Sequence, residues 1–135
     1  MPVREPSPTV NCFFNHLGIW DRDERNAMGY NDAAAAFGNK QLDAFWLFTA
    51  FPSGAVIMAA QTNDIGLIDL GAWARNSSFF EKYPYFTKLS VPAGTYRGVD
   101  YEAPSFQDST LWVASSETPA DLFYDFLSLI YTDEV

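Results

Sequence analysis

The sequence is poor in cysteine, in basic residues and in long apolar runs, and each shortage excludes a class of protein. Its 135 residues include one cysteine, Cys12, so no disulfide can form within the chain. Eight Lys and Arg stand against 17 Asp and Glu, and the net charge is −9. Such a chain repels nucleic-acid phosphates, and no basic cluster offsets the repulsion. No apolar run approaches the roughly 20 residues that a membrane-spanning helix needs.

Apolar and aromatic residues are plentiful by contrast. Apolar residues make up 48 % of the chain and aromatic residues 17 %, with 12 Phe among them, so we expect a folded domain with a large core. The segment Met1 to Pro6 leads into no apolar stretch of a secretory signal peptide. Taken alone, that absence predicts a cytoplasmic protein, but a piece of a longer secreted protein would look the same.

The apolar pattern predicts helices and strands in alternation. We expect helices at 9–17, 31–38, 55–60 and 71–82, and a last helix capped by Thr118 that runs to Ile130. The start at 2–8 and the stretch 97–107 are expected to be irregular. Strands are expected at 42–48, 65–70, 87–91 and 110–114. Because 42–48 is short and nearly all apolar, it indicates a buried strand of a mainly parallel sheet with right-handed crossovers.

Few residues suggest catalysis or metal binding. Cys12 and His16 are four apart and would share a helix face, and such a pair can act as nucleophile and base. No glycine-rich turn, oxyanion donor or third orienting group accompanies the pair, so we interpret it as a buried thiol beside a surface imidazole. Asp21, Asp23 and Glu24 lack the spacing and the glycine of a calcium loop. We therefore expect that the chain is not an enzyme and that it binds neither a metal ion nor a cofactor.

One turn has the features of a ligand site. Residues 51–55 lie between a predicted strand and a predicted helix, and ligands of open α/β sheets bind beyond the carboxyl ends of strands. Free N–H groups at a helix start attract an anion, and Gly54 lets a ligand approach the backbone. An ordinary strand-to-helix turn explains the same residues, and without further information it is the simpler interpretation.

Three blocks of sequence occur in a distinctive order. They are Leu42-Asp43-Ala44-Phe45-Trp46 with Phe51-Pro52-Ser53-Gly54-Ala55, then Tyr83-Pro84-Tyr85 with Val91-Pro92-Ala93-Gly94-Thr95-Tyr96-Arg97-Gly98, and last Leu111-Trp112-Val113 with Thr118-Pro119-Ala120-Asp121-Leu122-Phe123-Tyr124. Together they resemble the TAXI family of TRAP-transporter solute receptors. The Pro-Ala-Gly-Thr-Tyr run is the most specific part. The resemblance covers about two-thirds of the chain, from Gln41 onward.

The resemblance implies an α/β fold of the periplasmic-binding-protein type (class II) with a mainly parallel sheet. Members of that family are roughly twice this length and close two lobes around a small organic anion, such as glutamate or a dicarboxylate, for delivery to a membrane permease. The chain would then be a truncated single domain, with about 1–48 ending the second lobe and 49–135 crossing and returning to the first. Its location would be periplasmic or otherwise extracytoplasmic.

The resemblance also implies where the ligand binds. The expected contacts are Ser53 and Gly54, with Ala55 as a further N–H donor, Pro52 shaping the turn, and Tyr96 and Arg97 as additional candidates. The family has His before the proline and Asn after it, whereas this chain has Phe51 and Ser53. Side-chain donors to the ligand therefore differ from those of the family.

Two other functions remain open, namely a ligand-sensing module of the same fold and a small interaction domain without a metabolite. The missing lobe would leave apolar helix positions uncovered, notably Leu122, Phe126 and Ile130. Exposed patches of that kind drive association, so we expect a homodimer or an exchanged arrangement.

Overall fold

The computed structural model describes residues 7–22 and 24–131 of the chain. These residues contain six helices and one two-stranded sheet. The helices are α1 (Pro8–His16), α2 (Tyr30–Gly38), α3 (Gly54–Thr62), α4 (Leu70–Asn76), α5 (Phe79–Lys82) and α6 (Ala120–Ile130), and the strands are β1 (Thr87–Val91) and β2 (Ala103–Gln107). The expected irregular start, up to residue 6, and Asp23 lie outside the described residues. None of the described helices is long and apolar enough to cross a bilayer.

The first three helices lie where the sequence predicts them. Helix α1 is displaced by one residue from the predicted 9–17, and the chain leaves it through Gly18 at a φ of 67°. Helix α2 starts earlier than expected, because Gly29 rather than Asn31 is its N-cap. Helix α3 is longer than the predicted 55–60 and ends before Asn63, which takes an extended conformation.

The single helix predicted at 71–82 is wrong, because the chain breaks it at Ser77 and Ser78. Ser78 takes a left-handed conformation with a φ of 58°, which an α-helix cannot continue through. The first piece also begins earlier than predicted: the Asp69 carboxylate accepts a 2.7 Å hydrogen bond from the Ala72 amide and caps α4. At α6 the N-cap is Pro119 rather than Thr118, with no side-chain capping bond.

The sheet is a β1–β2 hairpin. Strand β1 confirms the prediction at 87–91, and it pairs antiparallel with β2 from Thr87–Gln107 to Val91–Ala103. Strand β2 falls in the stretch 97–107 that the sequence predicts as irregular, largely because it contains Pro104. A proline is acceptable in an edge strand, and both strands of a two-stranded sheet are edges.

The other three predicted strands do not form, so the described residues contain no parallel sheet. Residues 44–48, 64–69 and 111–115 contain no helix and no bend, but they make no ladder with any other described segment. A strand requires a neighbour to pair with, and apolar composition alone does not supply one. The fold is therefore a mixed α/β arrangement around an antiparallel hairpin.

Four phenylalanines from distant parts of the sequence form the centre of the main core. Phe79 is fully buried, and its ring centroid lies 5.0 Å from Phe13, 5.1 Å from Phe86 and 5.1 Å from Phe106. The pair with Phe13 is edge-on, the pair with Phe86 is stacked and the pair with Phe106 is tilted, and ring contacts at such distances stabilise a core. Ala74 of α4 packs against the same cluster, so α1, α4, α5 and the hairpin share one core.

A second, smaller core joins α2 to α3. Its buried residues are Ala34, Ala55 and Ala59, whose small side chains let the two helices approach closely. Phe37 and Phe45 pack against them with ring centroids 5.3 Å apart. This core fixes the direction in which the start of α3 points.

We predict that Phe79→Ala lowers the free energy of unfolding by about 3–5 kcal/mol, because it removes the ring that contacts the three others. Urea unfolding measures the loss, and Phe79→Leu gives a milder variant if the alanine variant does not fold. Trp73→Ala is the matched control. Trp73 is 59 % exposed on α4, so its loss should cost no more than about 0.5 kcal/mol. Equal losses at the two positions would contradict the assigned core.

Candidate functional site

A groove of about 850 Å³ opens beside the hairpin. Leu89, Val91, Ala103, Ser105 and Gln107, which share one face of the paired strands, line it. The unpaired segments 43–51 and 65–68 also line it with mostly apolar side chains. Its volume lies within the roughly 300–1,000 Å³ of small-molecule sites. The groove is therefore a candidate site of the size that a small molecule needs.

The start of α3 reaches this groove through Ser53. The Ser53 amide donates a 2.8 Å hydrogen bond to the Tyr96 hydroxyl, and the Phe51–Pro52 peptide bond before it is cis. The Ser53 side chain makes no capping bond, so its hydroxyl is not used by the helix. The amides of Gly54, Ala55 and the next residue have no acceptor among the described residues. Several hydrogen-bond donors thus meet at this helix start.

Tyr96 contributes a further donor. Its side chain is 5 % exposed and lines the groove, and its oxygen accepts the bond from Ser53. The hydroxyl proton of Tyr96 has no acceptor in the described part of the chain. A buried hydroxyl normally donates as well as accepts, so this proton is available to an acceptor atom of a bound molecule.

Arg97 holds the opposite end of the same helix. Its Nη1 donates to the carbonyl oxygens of Ala60 at 3.0 Å and Gln61 at 2.8 Å. Cations are favourable there, because the last carbonyls of a helix carry partial negative charge. Tyr96 and Arg97 are adjacent, so one dipeptide engages both ends of a helix about 13 Å long. The turn at 92–98 and the turn at 51–55 are fixed to each other in this way.

The six residues that the resemblance singles out therefore have different surroundings. Ser53 and Tyr96 line the groove, and a Cβ on Gly54 would meet no atom within 4 Å. The Ala55 side chain is buried in the second core, which leaves only its amide for a ligand. Pro52 lies in the turn at 51–55, directly before Ser53. Arg97 has a structural role at the end of α3, and its contact with a ligand stays a prediction.

The sequence does not predict two features of the groove, namely its aromatic lining and the contact of Tyr101 with segment 65–68. Phe45, Trp46 and Phe48 line the groove, although their apolar run predicts a fully buried strand. The Tyr101 hydroxyl accepts from the Leu67 amide at 2.7 Å and donates to the Leu67 carbonyl at 3.1 Å, which holds segment 65–68 in place. No sequence signal identifies such a contact across 34 residues.

The electrostatics of the groove come from dipoles and not from cations. Asp43 and Asp108 are the charged residues among its described lining, which includes no Lys or Arg. A ligand carboxylate would therefore be held by backbone amides and hydroxyl groups near α3.

Cys12 and His16 lie elsewhere, and each has its own partner. Cys12 Sγ lies 4.0 Å from the Tyr85 hydroxyl, and His16 Nε2 lies 2.8 Å from the Ser77 carbonyl oxygen. Neither residue lines the groove. Within the described ranges, no group of three or more His, Cys, Asp or Glu side chains is arranged to hold a metal ion.

This geometry defines a class of protein, namely mixed α/β domains that have a ligand-sized groove at the start of a helix. A comparison with family models adds the family itself, since the model of the NMT1-like family matches residues 8–134. The chain belongs to the NMT1-like family. Membership indicates a domain of the periplasmic solute-binding type, with a periplasmic-binding-like fold and an extracytoplasmic location.

We predict that Tyr96→Phe lowers the free energy of unfolding by about 1 kcal/mol, because the partly buried Ser53 amide loses its acceptor. Urea unfolding measures the loss, and faster hydrogen exchange of the Ser53 amide localises it. Tyr124→Phe is the control, since Tyr124 is 74 % exposed on α6 and lies outside the groove. An equal or larger loss for Tyr124→Phe, with Ser53 exchange unchanged in Tyr96→Phe, would contradict this role for Tyr96.

Proposed function

We propose that the chain belongs to the extracytoplasmic receptor of a TRAP-type uptake transporter of the TAXI class. It captures a small organic anion, such as glutamate or a dicarboxylate, and delivers it to membrane permease subunits. The observation that supports this most is the meeting of free donors at the start of α3, where the Ser53 amide is fixed to Tyr96 at 2.8 Å. Solute-binding membership of the family supports the same reading.

The chemistry of capture is non-covalent. Helix-start amides, the Ser53 hydroxyl and the Tyr96 hydroxyl offer hydrogen bonds to one carboxylate, while the apolar lining encloses the body of the solute. A local set of oriented donors outweighs the net charge of −9, because distant charges are screened by salt over about 8–10 Å. No bond is made or broken in this proposal, and the chain is not an enzyme within it.

The class II architecture with a mainly parallel sheet belongs to the same proposal. The unpaired segments 44–48 and 64–69 would serve as strands once neighbouring strands pair with them. The division into about 1–48 and 49–135 as parts of two lobes stays a prediction, as does a periplasmic location. A bound solute would then lie beyond the carboxyl end of segment 44–48, beside Ser53.

A small interaction domain without a metabolite is the second candidate. It is favoured by α6, on which no residue is buried although Leu122 and Phe126 are apolar. The two functions differ in what the groove near Ser53 binds. A sensing module of the same fold would bind the same class of solute and would be distinguished by its fused or neighbouring output protein.

Calorimetry with a panel of glutamate, succinate and acetate tests the proposal. We expect at least one carboxylate to bind, and Gly54→Val to weaken that binding at least tenfold. The reason is that the valine side chain would occupy space through which a ligand reaches the helix-start amides. The melting temperature should change little, because no atom lies within 4 Å of the added Cβ and the backbone of Gly54 is not left-handed.

Ala120→Val provides the control, since Ala120 is the exposed first residue of α6 and lies outside the groove. It should leave affinity unchanged. Absence of binding by the folded protein at millimolar concentrations of every carboxylate would contradict solute capture. Unchanged affinity in Gly54→Val would remove the helix start from the site.

A further inference from the structure

The hydrogen-bond donors of the groove are gathered at the start of α3. Tyr96 is 5 % exposed, and its oxygen accepts the 2.8 Å bond from the Ser53 amide, which leaves its hydroxyl proton without an acceptor among the described residues. The amides of Gly54 and Ala55, on the first turn of the helix, have no described acceptor either. A buried hydroxyl beside helix-start amides can hold one carboxylate.

The elements that carry these donors also present apolar side chains to the groove. Phe51, two residues before Ser53, and Val56, three residues after it, are half-buried and line the groove. Val91 at the end of β1, just before the turn that carries Tyr96, lines it as well. A solute whose carboxylate lies beside Ser53 therefore places its next carbon atoms against hydrocarbon, where burial of apolar surface is favourable.

The described lining offers little to a second carboxylate. It contains no Lys or Arg, and its charged side chains are acidic. Away from the start of α3, its neutral polar side chains are mostly exposed, namely Thr49, Gln107 and Thr110 together with the half-buried Ser105. Water competes for hydrogen bonds at exposed positions, and a carboxylate that leaves water without several donors or a cation loses free energy. The groove therefore favours one carboxylate and does not favour a second.

The size of the groove adds to this argument. Its volume of about 850 Å³ lies near the upper end of the roughly 300–1,000 Å³ of small-molecule sites. A solute with only a few carbon atoms would leave most of that space to water. A longer chain or a ring would contact more of the apolar lining, and the gain in affinity grows with the apolar area removed from water.

We propose that the solute is a monocarboxylate with an apolar body, which is an aliphatic chain of several carbons or a ring. The donors at the start of α3 bind the carboxylate, and Phe51, Val56 and Val91 contact the body. The inference rests on the proposed function and narrows its organic anion to this class. Glutamate and dicarboxylates then bind the same site more weakly.

Calorimetry with acetate, hexanoate and adipate tests the class of solute. Hexanoate and adipate have the same number of carbons and differ in whether the far end is a methyl group or a carboxylate. We expect hexanoate to bind at least tenfold more tightly than either of the others. Gly54→Val should weaken hexanoate binding at least tenfold, because the carboxylate of hexanoate lies at the start of α3.

A variant at Val56 tests the contact with the apolar body. Val56→Ala should weaken hexanoate binding about threefold and leave acetate binding unchanged, because acetate has no body to reach the missing methyl groups. Val56→Thr, which keeps the size of the side chain, is the second variant if the alanine variant does not fold. Ile57→Ala is the matched control on the same helix, since Ile57 is 41 % exposed and lies outside the groove. It should leave both affinities unchanged.

The outcomes separate this inference from the proposed function. Adipate that binds as tightly as hexanoate, or hexanoate that binds no more tightly than acetate, would overturn the monocarboxylate class and leave solute capture intact. Hexanoate binding that Gly54→Val does not change would also overturn the inference, because the carboxylate would then lie elsewhere. Absence of binding by every carboxylate, including those of the first panel, would contradict solute capture and this inference together.

Discussion

The packing of Phe79 against three other phenylalanines is the constraint on which the rest of the structure depends. Phe79 follows Ser78, whose left-handed backbone turns the chain between α4 and α5. The ring then contacts Phe13 of α1, Phe86 at the entrance to β1 and Phe106 of β2. Helices separated by some 60 residues and both strands of the hairpin therefore share one centre. Without it, the hairpin would have little to hold it, since a two-stranded sheet is marginal in water.

The candidate site follows from that core by a short chain of contacts. The core fixes the hairpin, and the hairpin fixes the loop between its strands, which begins with the turn at 92–98. From this turn, Tyr96 engages the start of α3 and Arg97 engages its end. Two side chains from one turn thus position the helix against the groove, and they also fix the orientation of its free amides. A helix start that is already positioned by such contacts would lose less conformational entropy on binding a ligand than a disordered loop would.

The sequence predicts local features well and pairing poorly. Helices α1, α2 and α3 follow from apolar spacing and from glycine, and the turns at 51–55 and 92–98 are identified by their motifs. The break at Ser78 and the strand that contains Pro104 are set by tertiary contacts, which no local signal reports. Segment 42–48 has the composition of a buried strand, yet composition does not provide the neighbour that a strand requires. Likewise, Arg97 resembles a ligand contact in sequence and caps a helix in space.

The partly covered lining of the groove connects the fold to the proposed function. Apolar side chains at Phe45 and Leu47 are only partly covered, and the main chain between them has no partner among the described segments. The donors at Ser53 and Tyr96 are clustered at the start of α3, so one carboxylate could accept from several of them at once. The apolar side chains along 44–48 would then contact the rest of the solute, so the polar and apolar parts of the groove suit different parts of one small molecule.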